Sequence, residues 1–205
     1  MLIDYIKENY QEGEPIFLDE LPGNSKNYIC QEIKALVDKG ILERLYNGVY
    51  FLSYTTILGT KGQVSIDQYV SKKYIDSNGE IIGYKTGLEI LNEYGFTTQN
   101  PSVIEVCSNQ ASSKQRKFDI GGRKIIVYKP LAKVTKENYK SLQFLDMMNV
   151  VDKYSELSFD ELKEKIQEYV KENRIDFSQV KEYLPLYPDR VYRNLYLGGL
   201  MNELV

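Results

Sequence analysis

Between residues 24 and 52 the apolar positions change from a helical to a strand period, and the change is sharp. Across residues 24–37, Ile29, Ile33, Leu36 and Val37 recur at helical spacing, so one face of a helix turns inward. Asn24 is a good N-cap ahead of it, and Lys39-Gly40 stops it. Two short β-prone runs follow, 41–45 and 49–52, separated by Tyr46-Asn47-Gly48, and Asn-Gly is the strongest short hairpin signal a sequence carries. Helix, turn and two-stranded wing, in that order, predict a winged helix-turn-helix, which places side chains in a DNA groove and against the flanking phosphates.

The pattern on either side completes the picture. Leu2, Ile3 and Ile6, with Tyr5 or Tyr10, make an apolar stripe on a helix over 2–12 that Gly13 ends. Pro15-Ile16-Phe17 is extended, 18–21 forms a short helical turn, and Pro22-Gly23 breaks the chain. Residues 54–62 read as a linker. Ile66, Tyr69, Val70 and Tyr74 give a helix over 65–75, closed by Ser77-Asn78-Gly79. An extended piece at 80–83, a helix over 85–93 and a strand over 101–107 come next, and then a hairpin of 118–120 and 124–128 across Gly121-Gly122. Beyond Pro130 only helices are predicted, over 136–151, 159–172, 177–184 and 189–204, with Asp160-Glu161 marking a helix start. Short helices with short connections imply a compact bundle packed on the sheet. The expected class is α+β: a winged helix-turn-helix over 1–54, then a domain over 63–205 with a small mixed sheet and helices (63–134) and a helical bundle (135–205).

Composition narrows the chemistry. At 205 residues and 42% hydrophobic content there is room for one large or two small domains with ordinary cores. No run approaches the roughly 18 apolar residues of a membrane span, and Asp4, Lys7 and Glu8 make the first ten residues unlike a signal peptide, so a cytoplasmic location away from membranes is expected. The chain has no histidine, the commonest general base and metal ligand. With two separated cysteines, Cys30 and Cys107, a zinc site is not expected; both are read as reduced, buried packing thiols. The 29 acids show no spacing that points to paired carboxylate catalysis. Gly121-Gly122 runs on into a strand, so it is no phosphate cradle. The reading is a binding protein with no catalytic residues, metal or cofactor.

Charge complicates the DNA reading. Residues 1–54 carry a net −4, 55–134 a net +4 and 135–205 a net −3. Phosphate neutralisation supplies much of DNA affinity, so an acidic winged helix needs its bases sorted onto one face or help from another segment.

The helical wheel leaves Asn24, Asn27, Tyr28, Gln31 and Lys34 facing outward. Asn and Gln bond an adenine edge in two places, Tyr reaches phosphate or a thymine methyl, and Lys34 adds charge. No arginine lies on this face, which favours A·T-rich sites; the alternative is an ordinary solvated surface. Arg44, Tyr46 and Asn47 at the wing are placed for phosphate or the minor groove, although Arg44 has Glu43 and Glu20 as rival partners. Lys114, Arg116, Lys117, Arg123 and Lys124 concentrate positive charge around the second hairpin. They read either as a solvated strand edge kept soluble by lysine or as an electrostatic footprint for DNA or an acidic partner. The tyrosines between Tyr183 and Tyr196 are read mostly as packing, with some available to an interface.

Several segments in order carry a family resemblance: Arg44-Leu45-Tyr46-Asn47-Gly48-Val49-Tyr50, then Gly83-Tyr84-Lys85-Thr86-Gly87-Leu88, then Tyr94-Gly95-Phe96-Thr97-Thr98-Gln99-Asn100-Pro101, the strand 102–106 and the late helix 190–197. Over most of its length the chain resembles the AbiEi-like antitoxins of type IV, abortive-infection toxin-antitoxin systems. The resemblance implies an antitoxin whose N-terminal winged helix binds operator DNA and represses its own operon. It also implies a C-terminal domain that counteracts a nucleotidyltransferase toxin encoded beside it without a stable toxin complex. Two molecules on inverted repeats, helped by the 114–124 bases, would answer the acidic charge of the first domain. Two other readings stay open: a stand-alone regulator whose C-terminal domain senses a ligand or partner, and an enzyme over 55–205 with the winged helix as its targeting module.

Overall fold

The computed structural model describes residues 1–204 apart from Asn24 and shows an α+β chain that divides into two compact units. The first comprises Met1–Lys72 with the tip Ile120–Gly122; the second comprises Lys73–Asp119 and Arg123–Val205. The first unit thus runs on past residue 54 through the helix that follows. Among the described residues no helix is long and apolar enough to cross a membrane.

In the first unit, helix α1 (Leu2–Asn9) leads to strand β1 (Ile16–Phe17), helix α2 (Lys26–Asp38), strands β2 (Leu42–Tyr46) and β3 (Val49–Leu52), and helix α3 (Ile66–Val70); a π-helical turn, Ser71–Ile75, follows it where the first unit gives way to the second. The strands form one sheet in the order β1-β3-β2, with β3 antiparallel to both neighbours. The core is what the periodicity predicts: Leu2 and Ile6 of α1, Ile29, Ile33 and Leu36 of α2, and Ile16, Leu21 and Leu42 close on one another, with Val37 packed at the margin. The first helix stops at Asn9, short of residue 12, and Gly13 turns with φ +78° beside the Tyr54 ring.

Residues 54–62 are not an open linker. Thr55 pairs antiparallel with Lys61, the Thr56 N–H donates to the Thr60 carbonyl at 2.8 Å, and the Gly62 N–H to the Tyr54 carbonyl at 2.8 Å. Tyr54 anchors this tight hairpin by donating its hydroxyl to the Gln63 carbonyl, and Gly62 is required because a Cβ there would fall 2.2 Å from the Tyr54 ring.

The second unit opens with two short paired strands, β4 (Asp76–Ser77) and β5 (Glu80–Ile81), then β6 (Gly83–Lys85) and helix α4 (Gly87–Glu93). Strands β7 (Val103–Ser108), β8 (Gln115–Ile120) and β9 (Arg123–Tyr128) join β6 in a mixed sheet ordered β6-β7-β9-β8. β6 lies antiparallel to β7, whereas β9 runs parallel to it in register Val103 to Lys124 through Cys107 to Tyr128. Helices α5 (Tyr139–Met148), α6 (Val151–Tyr154), α7 (Phe159–Asn173), α8 (Phe177–Tyr183) and α9 (Asp189–Leu197) follow. Ser158 and Glu161 make a capping box at the start of α7, which accounts for the paired acids Asp160-Glu161. The long helices expected over 136–151 and 189–204 are each interrupted: Asn149 and Val150 separate α5 from α6, and Gly198-Gly199, the latter at φ +71°, ends α9. Phe144, Leu145, Met147 and Met148 of α5, Tyr169 of α7, Val180 of α8 and Leu195 of α9 form the centre of this unit's largest core.

Candidate nucleic-acid interface

Helix α2 begins one residue later than the sequence suggests. Its N-cap is Ser25, whose hydroxyl accepts the Tyr28 N–H at 3.2 Å; Asn24, the cap and groove reader expected from the sequence, lies outside the described residues. Asn and Ser are about equally good caps, so adjacent Asn24 and Ser25 left the choice open by one position.

The two faces of α2 separate cleanly. Ile33 is 1% exposed, while Asn27, Tyr28, Gln31 and Lys34 are all exposed, Tyr28 by 53%. Lys26 and Lys39 bracket the helix, exposed at either end. Cys30 corrects an expectation: it is exposed, not a packing thiol. It stands 100° round the helix from the buried Ile29, on the same edge of the apolar face as the partly buried Val37 seven residues on. Cys107 is buried as expected.

The β2–β3 hairpin follows α2 after a three-residue connection. Asn47-Gly48 forms its turn, with Gly48 at φ +73° where a side chain would be strained, and the register slips between Arg44 and Tyr46, so Leu45 is bulged. Arg44 is bound to this turn: its Nε donates to the Tyr46 carbonyl at 3.3 Å and its guanidinium to Asn47 Oδ1. The two rival acids are engaged elsewhere. Glu43 pairs with Lys61 at 2.8 Å and accepts from the Ser53 hydroxyl at 2.7 Å, and Glu20 lies 3.8 Å from Lys72. Burial pulls the Glu43 carboxyl upward, but the Lys61 ammonium and Ser53 hydroxyl outweigh it and hold the group below its ordinary value. Arg44 and Asn47 therefore stand exposed as one pre-organised tip. Tyr46 is only half exposed and sets its ring edge-on to Tyr69, 6.4 Å between centroids.

The basic residues of the second hairpin do not share a surface. On β8, an edge strand of its sheet, Arg116 lies over the Phe118 ring at 5.2 Å, while Lys117 alternates to the opposite face. On β9, Lys124 falls on the face that carries Tyr128, and Arg123 on the face that carries the buried Ile125 and Val127. The Arg123 Nε is itself buried without a hydrogen-bond partner among the described residues. Lys114 precedes the strand and is exposed. Strand alternation splits what a linear count of charge gathers into one cluster.

No family model matches the chain, and no curated protein matches it.

Proposed function

We propose that the chain is a DNA-binding antitoxin and autorepressor, with α1, β1, α2 and the β2–β3 hairpin arranged as a winged helix-turn-helix and α2 as the recognition helix. The observation that carries the DNA reading is the polarity of α2: a fully apolar buried face opposite exposed Asn27, Tyr28, Gln31 and Lys34, followed at once by a hairpin that presents Arg44 and Asn47. Amide and hydroxyl side chains on such a face suit base edges, and Arg44 with Lys26, Lys34 and Lys39 suits phosphate. These bases offset the acidic balance of the first unit locally, and a second copy on an inverted repeat doubles them.

The antitoxin assignment rests on the sequence resemblance, which implies autorepression of an operon shared with a nucleotidyltransferase toxin and neutralisation without a stable complex. The test is cellular. A reporter under the chain's own upstream DNA is silenced by the wild type and not by the Asn27→Ala, Gln31→Ala, Arg44→Ala triple variant, while co-expression with the adjacent gene product restores growth in both. Equal silencing by both proteins removes the proposed surface; no rescue of growth by either removes the antitoxin reading. One observation favours the second reading, a stand-alone regulator that senses a ligand: the second unit contains a cavity whose lining includes Glu105, Asp146, Lys114 and Lys129.

A further inference from the structure

The cavity lies wholly within the second unit and has a volume of about 820 Å³, within the range of small-molecule sites. Strand alternation and register build its floor. Glu105 and Cys107, two residues apart on β7, share a face; Tyr128 on β9 and Tyr84 on β6 both stand in register with Cys107. Helix α5 covers this face, with Leu142 packed on Tyr84 and Cys107 and Asp146 one turn further along.

Each floor carboxylate is positioned by neutral donors. Asp146 Oδ2 accepts the Tyr84 hydroxyl at 2.9 Å and the Cys107 thiol at 3.1 Å. Glu105 Oε1 accepts the Tyr128 hydroxyl at 2.8 Å, and its Oε2 the Leu88 N–H at 3.4 Å. Neither forms an ion pair with a lysine or arginine among the described residues. Withdrawing carboxylates from water without a cation is costly, and burial holds the Asp146 carboxyl above its ordinary value despite its donors. Asn149, which also lines the cavity, keeps its Oδ1 buried with no hydrogen-bond partner, a third acceptor. The exposed side of the lining has the opposite character. Lys114 and Lys129 stand together there, tied by the Lys129 N–H donating to the Lys114 carbonyl at 3.1 Å.

We propose that this cavity binds a small zwitterion, with a nitrogen-rich cationic end donating to Glu105 and Asp146 and an anionic end held by Lys114 and Lys129. A guanidinium fits the first role because its planar fork of donors matches carboxylates and does not lose its charge. A purely cationic ligand is opposed by the lysines, and a purely anionic one by the floor.

The test is calorimetric titration of the full chain with L-arginine, with agmatine, which keeps the guanidinium and lacks the carboxylate, and with glutarate. L-arginine binds, and the other two bind at least about tenfold more weakly, the scale of one lost charge-assisted contact. Glu105→Gln and Asp146→Asn, which keep the side-chain shape but remove the charge and turn one acceptor oxygen into an NH2 donor, each weaken L-arginine about tenfold. The exposed pair Lys114→Ala, Lys129→Ala weakens L-arginine by a similar factor and does not weaken agmatine. Absence of L-arginine binding to the wild type overturns the proposal, as does equal binding by the carboxamide variants or by the lysine variant. Because the readout is on protein alone, failure to bind DNA leaves it intact, and its failure leaves the DNA reading intact.

Discussion

Gly87 begins α4 at φ +69°, and an ideal Cβ there would fall 2.0 Å from Glu105 Oε2, 2.6 Å from Glu105 Cδ and 3.2 Å from Glu105 Cβ. Alanine at this position is strained twice. Left-handed backbone costs a residue with a side chain about 1 kcal/mol. The Glu105 side chain must also swing away, breaking its bond from the Tyr128 hydroxyl, and a hydrogen bond to a charged group is worth about 1.5–3 kcal/mol. Together Gly87→Ala should destabilise the second unit by about 3 kcal/mol, which for a unit of its size lowers its melting temperature by about 10 °C. Scanning calorimetry of four proteins (wild type, Gly87→Ala, Glu105→Ala and the double variant) separates the two contributions. Where Glu105→Ala has already removed the obstructing carboxylate and left only the Cβ at 3.2 Å, adding Gly87→Ala should cost little beyond the backbone strain of about 1 kcal/mol. An equal cost of Gly87→Ala in both backgrounds would refute the reasoning, because it would mean that the carboxylate does not occupy the space against the helix start.

The remaining predictions concern titration and thiol access. Asp146 has a folded-state pKa raised above 3.8, chiefly by burial, so its protonated form favours the fold; that contribution is complete at pH values below 3.8 and is lost as pH rises through the higher folded value. Chemical denaturation across this range should therefore show wild type losing stability relative to Asp146→Asn as pH rises; a difference independent of pH rejects the assignment. Exposed Cys30 should react at once with an aromatic disulfide reagent in the native protein, and buried Cys107 only after denaturant is added. Prompt release of two equivalents of reagent thiolate from native protein contradicts the burial of Cys107.

What could be read from the residues alone follows from the range of the interactions involved. The α2-to-β3 stretch was legible because each signal is local: a period of 3.6 from Ile29 to Leu36, a stop at Gly40, and an Asn47-Gly48 turn of the kind hairpins favour. Residues 54–62 read as a linker because threonine and glycine mark loops, whereas the tyrosine ring over Gly62 that closes them is a contact composition does not reveal. The strand around Val103–Ser108 was evident as an apolar run, but its parallel partner β9 was not, since that pairing skips the intervening β8. The same non-locality hid the cavity. Glu105 and Asp146 lie on different elements and meet the same space only through the β7 register and the packing of α5, so no motif spacing could join them. Conversely, the basic run from Lys114 to Lys124 looked like one feature because sequence proximity ignores the alternation of strand faces, which sends Arg123 and Lys124 to opposite sides.

The DNA reading is tested most directly by fluorescence anisotropy titration of purified chain onto its own upstream DNA and onto scrambled DNA, with and without the Asn27→Ala, Gln31→Ala, Arg44→Ala substitutions. A good bidentate side chain-to-base pair is worth about 1–3 kcal/mol, so losing both amide contacts should weaken specific binding by about a hundredfold or more and bring it close to the affinity for scrambled DNA. Removing Arg44 should lower the slope of log affinity against log salt by about one unit for each copy bound. Unchanged affinity and salt slope on the upstream DNA would show that neither α2 nor the β2–β3 tip touches it, and the proposed interface would be wrong.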